Sequence, residues 1–217
     1  MERNRSAAAI NDTGRIPVVY RMVISAAGPI VRWWGRLEVV GLHNLPVQGA
    51  TIVAANHDSA WDPVVIAFAA RRHRQIQALA KASLWKNPLL RRVLDGMGQI
   101  PVRRGQGDTD ALDAAVQCLS AGGCLGIFPE GSRSQGRQLR ARSGAGRLAQ
   151  AVPQARILCA AVAGTVDIAS FPRRPRLKVT FFEPTPSPPS ESALELAARL
   201  TAELRAVAPV AAARRHS

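Results

Sequence analysis

The sequence predicts an α/β protein: a single domain with a mixed, mainly parallel sheet flanked by helices. Three observations lead to this fold class. Short apolar runs alternate along the chain with amphipathic segments of helical period. Apolar residues make up 47% of the sequence and charged residues 20%, a composition typical of globular proteins. The length of 217 residues suits one large domain better than two.

The first part of the chain is expected to precede this domain. Residues 1–15 are polar and charged, which predicts a disordered N-terminus. Residues 16–36 are apolar but interrupted by Gly28-Pro29 and by arginines, whereas a membrane-spanning helix needs about 20 apolar residues. The arginines and the pair Trp33-Trp34 favour an N-terminal amphipathic helix lying in a membrane interface. Packing of the same helix on the core of the domain is the alternative interpretation, and both stay open.

The elements of the domain, residues 37–208, follow from the hydrophobic pattern. Strands are expected at 38–40, 51–55, 76–81, 99–102, 124–128, 157–162 and 177–182, and the last of these alternates like an edge strand. Helices are expected at 63–72, at 83–94 around Pro88, from Asp108 or Asp110 to Gly122, and at 191–207. The arginine-rich stretch 134–147 predicts a loop, and residues 209–217 predict a basic tail.

The charge of the chain restricts its partners. The formal net charge is +14 and the isoelectric point is near 11.5, which implies an acidic partner: nucleic acid, or an anionic membrane surface with phosphate-bearing substrates. Nearly all of this charge is arginine, which makes bidentate phosphate contacts, although a general compositional bias towards arginine explains it equally well. Aromatic residues are only 5% of the chain, so a base-stacking surface and specific nucleic-acid binding are not expected. On the charge alone, a basic nucleic-acid-binding protein stays as a remote alternative.

The cysteines and the missing motifs indicate a reducing compartment and no cofactor. Cys118, Cys124 and Cys159 lie in apolar stretches without a Cys-x-x-Cys spacing, which predicts small buried hydrophobic residues. No secretory signal is visible, so the protein is expected on the cytoplasmic side. A phosphate-binding loop, a dinucleotide-binding fingerprint and a paired-histidine metal motif are all missing from the sequence, so neither a metal nor a cofactor is expected.

The turn from Asn56 to Asp62 is the first candidate for chemistry. It follows the strand at 51–55 and precedes Pro63, whose fixed φ suits the first position of a helix. Asp62 is therefore expected at the helix N-cap and His57 at the end of the strand, so that the two side chains converge. A carboxylate that accepts one ring N–H would orient the imidazole as a general base. The alternative is a helix cap beside a solvated histidine.

Two further clusters follow other predicted strands. Arg103-Arg104 comes after the strand at 99–102, and Glu130 and Arg133 come after the strand at 124–128. Ligands of open α/β sheets bind beyond the carboxyl ends of the strands, so these clusters and His57 are expected at one rim. The serines nearby lack the Gly-x-Ser-x-Gly context of a nucleophile. A base with anion-binding arginines suits a phosphorylated substrate whose hydroxyl attacks an activated carbonyl.

Four stretches of the chain resemble the sequence blocks of the glycerophospholipid acyltransferases, the family typified by bacterial lysophosphatidate acyltransferases. The first is Asn56–Asp62, similar to Asn-His-x-Ser-x-x-Asp, and the third is Phe128–Ser134, similar to Phe-Pro-Glu-Gly-Thr/Ser-Arg-Ser. The second is Gly98–Arg104 and the fourth is Leu158–Gly164. The first and third blocks, about seventy residues apart and in the same order as in the family, make the resemblance specific.

The resemblance implies transfer of a fatty acyl group from acyl-CoA or acyl-carrier protein to the free hydroxyl of lysophosphatidate. The product would be phosphatidate, in phospholipid synthesis at the cytoplasmic face of the membrane, by a peripheral or monotopic enzyme. By the same resemblance His57 is the general base and Asp62 supports it. The acceptor-binding residues it implies are Arg104, Glu130 and Arg133. Their neighbours Arg103, Gly131 and Ser132 are further candidates for binding the substrate.

Some residues depart from the family pattern. Cys159 stands where the fourth block usually has proline, Trp61 is bulky beside Asp62, and Arg103 adds a second cation beside Arg104. These departures leave open the same chemistry on another lysolipid, an aminolipid or a glycolipid.

Overall fold

The computed structural model describes residues 16–102, 109–168, 174–188 and 190–211. The strands are β1 (Glu38–Val40), β2 (Thr51–Ala55), β3 (Gln77–Lys81), β4 (Ile100–Val102), β5 (Cys124–Ile127), β6 (Arg156–Ala163) and β7 (Lys178–Phe182). The α-helices are α1 (Val18–Ala26), α2 (Asp62–Ala70), α3 (Pro88–Gly96), α4 (Thr109–Ser120), α5 (Gly144–Ala151) and α6 (Ala193–Val207). The predicted N-terminal tail, 1–15, and residues 212–217 of the predicted basic tail lie outside the described residues.

The strands form one seven-stranded sheet in the order β1-β7-β6-β2-β5-β3-β4. Neighbouring strands are parallel except β6 and β7, which confirms the mixed, mainly parallel sheet. The prediction of an edge strand at 177–182 was wrong, because β7 pairs with β1 on one side and β6 on the other. Its alternation has another cause: Val179 and Phe181 are buried while Lys178 on the opposite face is exposed.

Helices cover both faces of the sheet. Val53 and Ala55 of β2 point to the face that packs against α1 and α2. Ile52 and Ala54 point to the opposite face, where they contribute to the two hydrophobic clusters formed with α4, α5 and α6. A strand buried on both faces is nearly all apolar, as β2 is, because parallel strands are covered by crossover helices on each side.

The helix predicted at 83–94 is interrupted in the structure. The segment 83–94 is divided into a 3₁₀ helix, Ala82–Lys86, and α3, because Pro88 takes the first helical position and favours an extended conformation for Asn87 before it. The Asn87 side chain then caps α3 by accepting hydrogen bonds from the Leu89 and Leu90 amides.

Helix α5 begins inside the stretch 134–147, which was predicted to be a loop, and extends four residues beyond it. Its two glycines, Gly144 and Gly146, disfavour a helix on propensity alone. However, Gly146 lies where α5 meets the start of α6, and a Cβ there would stand 1.9 Å from the Ala193 carbonyl oxygen. Ala145 and Leu148 are buried at the same contact. The packing of the two helices, which the local sequence does not display, therefore decides the conformation.

The N-terminal segment packs on the domain and also exposes apolar side chains. The predicted continuous helix at 16–36 is instead α1 followed by a π-helical stretch, Pro29–Trp34. Tyr20, Ile24 and Val31 are buried in the core, which confirms the packing interpretation. Val18, Met22 and Trp33 expose 67%, 67% and 71% of their surface, and contact of this face with a membrane stays a prediction. Among the described residues, no helix has the length and apolar character needed to cross a bilayer.

Candidate active site

The turn between β2 and α2 is wrapped around the carboxylate of Asp62. Asp62 is fully buried and is the first residue of α2, where its side chain does not cap its own helix. One carboxylate oxygen accepts the amides of Asp58 (2.6 Å) and Ser59 (2.7 Å) and lies 2.9 Å from Nδ1 of His57. The other oxygen accepts the hydroxyl of Thr165, which follows β6. The predicted convergence of His57 and Asp62 is therefore confirmed, with Asp62 one position inside the helix.

The histidine is oriented with one basic atom free. Because an ionised carboxylate only accepts hydrogen bonds, Nδ1 of His57 carries the proton in the neutral ring and Nε2 has the lone pair. Nε2 has no hydrogen-bond partner among the described residues. Every fully buried side-chain nitrogen and oxygen in these residues does have a partner, so Nε2 is not fully buried and is open to solvent. The imidazole stacks on the Phe128 ring at a centroid distance of 4.1 Å. This geometry is that of an oriented general base.

The turn after β5 brings the third sequence block to the same place. β2 and β5 are parallel neighbours, so their carboxyl ends leave the sheet side by side. The Gly131 amide donates to the Phe128 carbonyl, and Gly131 has a φ of +70°. A Cβ at this position would stand 2.7 Å from the end of the exposed Arg142 side chain, which can move aside, so it is the left-handed backbone conformation that favours glycine. The predicted meeting of the first and third blocks at one rim is confirmed.

Main-chain hydrogen bonds join the two turns. The His57 amide donates to Oε2 of Glu130 at 3.0 Å, and the His57 carbonyl accepts from the Ser134 amide at 2.8 Å. The Ser134 hydroxyl donates to the Asp58 carboxylate. The backbone of the base is therefore held on both sides by residues of the neighbouring block.

Glu130 is buried beneath the turn. The residue is 2% exposed, and its two carboxylate oxygens accept hydrogen bonds of 2.7 Å from Nε and one terminal nitrogen of Arg205. The resemblance implies that Glu130 binds the acceptor, and this role stays a prediction. Arg205 also donates to Asp58 at 2.9 Å. Burial would lower the pKa of Arg205, but its hydrogen bonds to Asp58 and Glu130 outweigh this effect and raise the pKa. The guanidinium is therefore a permanent charge between the two acids.

Arg205 is the residue that sequence reasoning missed. It lies on α6, 75 residues after Glu130, outside every block of the resemblance. One signal was present in the sequence: Arg205 follows Leu204, which continues the apolar positions Leu196 and Leu200. A charged residue beside the buried stripe of a helix points to a buried ion partner, although the sequence does not identify that partner.

The remaining predicted site residues are partly or fully exposed, or lie outside the described residues. Ser132 is half-buried and Arg133 is exposed, as are Arg137, Arg140, Arg142 and Arg147 further along. Arg103 and Arg104 lie outside the described residues. The strand that leads to them, β4, is at the edge of the sheet, separated from β5 by β3.

Asn56 anchors the turn to the next strand. Its side chain exchanges two hydrogen bonds of 2.8 Å with the main chain of Val162 on β6. Asn56 is 1% exposed, so these bonds are shielded from water and replace the ladder where β2 ends. The residue before the histidine is therefore structural.

In the part of the chain that the structure describes, no serine hydroxyl is hydrogen-bonded to the imidazole. The Ser59 hydroxyl accepts from the Trp61 amide, and the Ser134 hydroxyl donates to Asp58. Within the described ranges no three His, Cys, Asp or Glu side chains are grouped as metal ligands.

The three cysteines are buried, as predicted. Burial raises the pKa of Cys118 to about 11 and that of Cys124 and Cys159 to about 12, so their thiols are protonated at neutral pH. Cys159 faces α6 from within the sheet. The departure from proline at this position therefore falls in hydrophobic packing between β6 and α6.

Comparison with known proteins places the chain in a family. Residues 36–166, more than half of the chain, match the family model described as Acyltransferase. A 1-acyl-sn-glycerol-3-phosphate acyltransferase of Bacillus subtilis is 25% identical over 166 residues, which cover 76% of this chain and 82% of that protein. A protein of the same name from Borreliella burgdorferi is 35% identical over 107 residues, and the match spans 42% of its length.

A solved structure shows the same fold. The crystal structure of the 1-acyl-sn-glycerophosphate (LPA) acyltransferase of Thermotoga maritima superposes with a TM-score of 0.66 and 22% identity, covering 86% of this chain and 78% of that chain. The family match thus contains both turns that meet at His57, and the surrounding sheet is that of a solved acyltransferase. The chain belongs to the acyltransferase family and is an enzyme of that class.

Proposed function

We propose that this enzyme transfers a fatty acyl group from a thioester, acyl-CoA or acyl-carrier protein, to the free hydroxyl of lysophosphatidate. The observation that carries the proposal is the His57–Asp62 pair, with Nε2 open and no serine or cysteine of the described residues hydrogen-bonded to the ring. Nε2 takes the proton of the acceptor hydroxyl as its oxygen attacks the thioester carbonyl. The thiolate then leaves and the acyl ester is formed, while Asp62 stabilises the imidazolium.

The acceptor is proposed from the relatives and from charge. Two relatives bear the name 1-acyl-sn-glycerol-3-phosphate acyltransferase. Arg133 is exposed beside the turn that contacts His57, where a guanidinium can bind a phosphate monoester in two-point fashion. Arg103 and Arg104 are proposed as further phosphate ligands, and Gly131 and Ser132 as main-chain and hydroxyl contacts. The buried position of Cys159 supplies no reason for a different acceptor.

An acceptor panel tests this proposal. Purified enzyme with oleoyl-CoA is given lysophosphatidate, lysophosphatidylglycerol, lysophosphatidylcholine or monoacylglycerol, and products are measured by mass spectrometry alongside thiol release. We expect phosphatidate from lysophosphatidate, with kcat/KM at least about tenfold above the other acceptors, since a lost charged hydrogen bond costs roughly 1.5–3 kcal/mol. Background from the protein's thiols is small because all three are buried. Equal use of monoacylglycerol, or no product, contradicts the proposed acceptor.

We also propose that the exposed apolar face of the N-terminal segment contacts an anionic membrane surface. Val18, Met22, Ile30 and Trp33 expose apolar surface there, and Arg21 and Arg32 are exposed among them. Apolar side chains interleaved with cations are typical of segments that lie in a lipid interface. Trp34 of the same segment donates to the Ile168 carbonyl at 2.9 Å, three residues after the Thr165 that binds Asp62.

Vesicle binding by a double variant tests the membrane contact. Met22→Ser with Trp33→Ser is expected to weaken binding to phosphatidylglycerol vesicles about tenfold or more, since about 25 cal/mol is lost for each Å² of apolar surface kept in water. The control is Leu194→Ser on α6, which removes a 53% exposed leucine from the opposite face of the sheet. Sedimentation with vesicles gives both values. Equal binding by the double variant and wild type would refute the contact.

A further inference from the structure

Arg205 connects the two turns of the active site from a helix that no sequence block includes. The family model ends at residue 166, whereas Arg205 is in the last turn of α6. Its guanidinium uses Nε and one terminal nitrogen on the two Glu130 oxygens and the other terminal nitrogen on Asp58. All three side chains are 7% exposed or less. The ion cluster is therefore enclosed, and almost none of the surface of its charged groups is exposed to a substrate.

Each acid of this cluster also holds one of the turns. Glu130 accepts the His57 amide, so it binds the backbone of the base directly. Asp58, which occupies the variable position after the histidine, accepts the Ser134 hydroxyl and so binds the turn after β5. Because a carboxylate has few lone-pair directions, an acid that already receives a forked guanidinium and an amide has little capacity left for an acceptor lipid.

We propose that Arg205 is a positioning residue that fixes His57 relative to the turn after β5 through Glu130 and Asp58. Glu130 then acts on the His57 main chain and makes no contact with the acceptor. The proposal rests on the function proposed above, because it assumes that His57 is the base. A fork is required for this role, since lysine offers a single point charge and cannot bridge both oxygens of Glu130 while reaching Asp58.

A double-mutant cycle separates positioning from substrate binding. Arg205→Met and Glu130→Gln are each expected to lower kcat about 10²-fold with an unchanged KM for lysophosphatidate, because misplacing a catalytic group by about 1 Å costs this much. If both act through the same contact, the double variant is no worse than either single variant. The proposal is overturned if the decrease in kcat of the double variant equals the product of the two single decreases. It is also overturned if Glu130→Gln raises KM and leaves kcat unchanged.

Two further variants keep the test independent of unfolding. Arg205→Lys keeps the charge and is expected to fold, with kcat still lowered because the fork is lost; wild-type kcat in this variant counts against the proposal. Arg199→Met is the matched control: Arg199 lies on the same helix and pairs with Glu191 and Glu203, away from both turns. Its kcat is expected to equal that of the wild type, and a decrease like that of Arg205→Lys assigns the effect to the helix as a whole and overturns the proposal.

Hydrogen exchange supplies a readout that does not need turnover. Mass spectrometry of the peptide spanning residues 55–62 reports the His57, Asp58 and Ser59 amides, all of which donate to carboxylates of the site. We expect faster exchange of this peptide in Arg205→Lys and Arg205→Met and wild-type exchange in Arg199→Met. If the wild type acylates no lysolipid, the proposed function fails while this measurement still decides the positioning role. Unchanged exchange in the Arg205 variants overturns it.

Discussion

Replacing His57 with alanine is expected to lower kcat by roughly two to four orders of magnitude, the range for removing a general base. Nε2 is the atom open to the acceptor, and the hydroxyls of the nearby described serines, Ser59 and Ser134, are hydrogen-bonded to other groups. The Ala variant keeps the main-chain hydrogen bonds from His57 to Glu130 and from Ser134 to His57. Its fold should therefore be retained, and initial rates at saturating acceptor measure the loss.

The control for this substitution is His43→Ala. His43 is an exposed histidine in the 3₁₀ helix Leu42–Asn44, so its removal should leave kcat unchanged. Circular dichroism of both variants checks that they are folded. Activity of His57→Ala within about threefold of the wild type would refute general-base catalysis by this residue, because even the weakest such contribution is about 10².

Asp62→Asn is expected to lower both kcat and the stability of the turn. An asparagine amide turned towards Nδ1 donates a hydrogen bond, which forces the proton of the imidazole onto Nε2 and abolishes the base. A change of this kind costs up to about 10⁴ in kcat in enzymes with a His–Asp pair. The same amide nitrogen replaces the oxygen that accepts the Asp58 and Ser59 amides, whereas the other oxygen can still accept the Thr165 hydroxyl. Each of the two buried amides left without a partner costs about 1–3 kcal/mol.

Both effects can be measured on one preparation. The kcat comes from product formation, and the free energy of unfolding comes from urea denaturation. Asp113→Asn is the matched control, because Asp113 is exposed on α4 and should change neither value. An Asp62→Asn enzyme with wild-type kcat would mean that Nδ1 needs no acceptor, and the role assigned to Asp62 would fail.

The turn with the base was predictable because its determinants are local. The strand, the turn and Pro63 are consecutive in sequence, and they bring His57 and Asp62 together across five residues. The alternation of apolar runs with amphipathic segments likewise predicted the sheet and most of its helices. These patterns arise because apolar residues recur at the period of the buried face, which is visible along each strand and amphipathic helix.

The features that were missed depend on distant contacts. Helix α5 contains two glycines, one of which permits the approach of Ala193 on α6. The resemblance assigned Glu130 to the acceptor, and the sequence block gave no sign that its carboxylate is paired with Arg205 of α6. β7 alternates as an edge strand would, although it has partners on both sides. In each case the deciding partner lies on another element, and a single sequence does not show which elements meet.

The dual character of the N-terminal segment has a consequence for substrate choice. Tyr20 is completely buried and its hydroxyl accepts the Ile76 amide, so α1 is packed on the same domain that carries the base. An enzyme that binds lipid through a segment packed on its core has a defined orientation relative to the bilayer. A flexible tether would hold it at the membrane without fixing that orientation. With the proposed membrane contact, the height of His57 above the lipid surface becomes a constant of the fold. Acceptor selection would then depend on the distance between the reacting hydroxyl and the headgroup layer, in addition to the phosphate beside that hydroxyl.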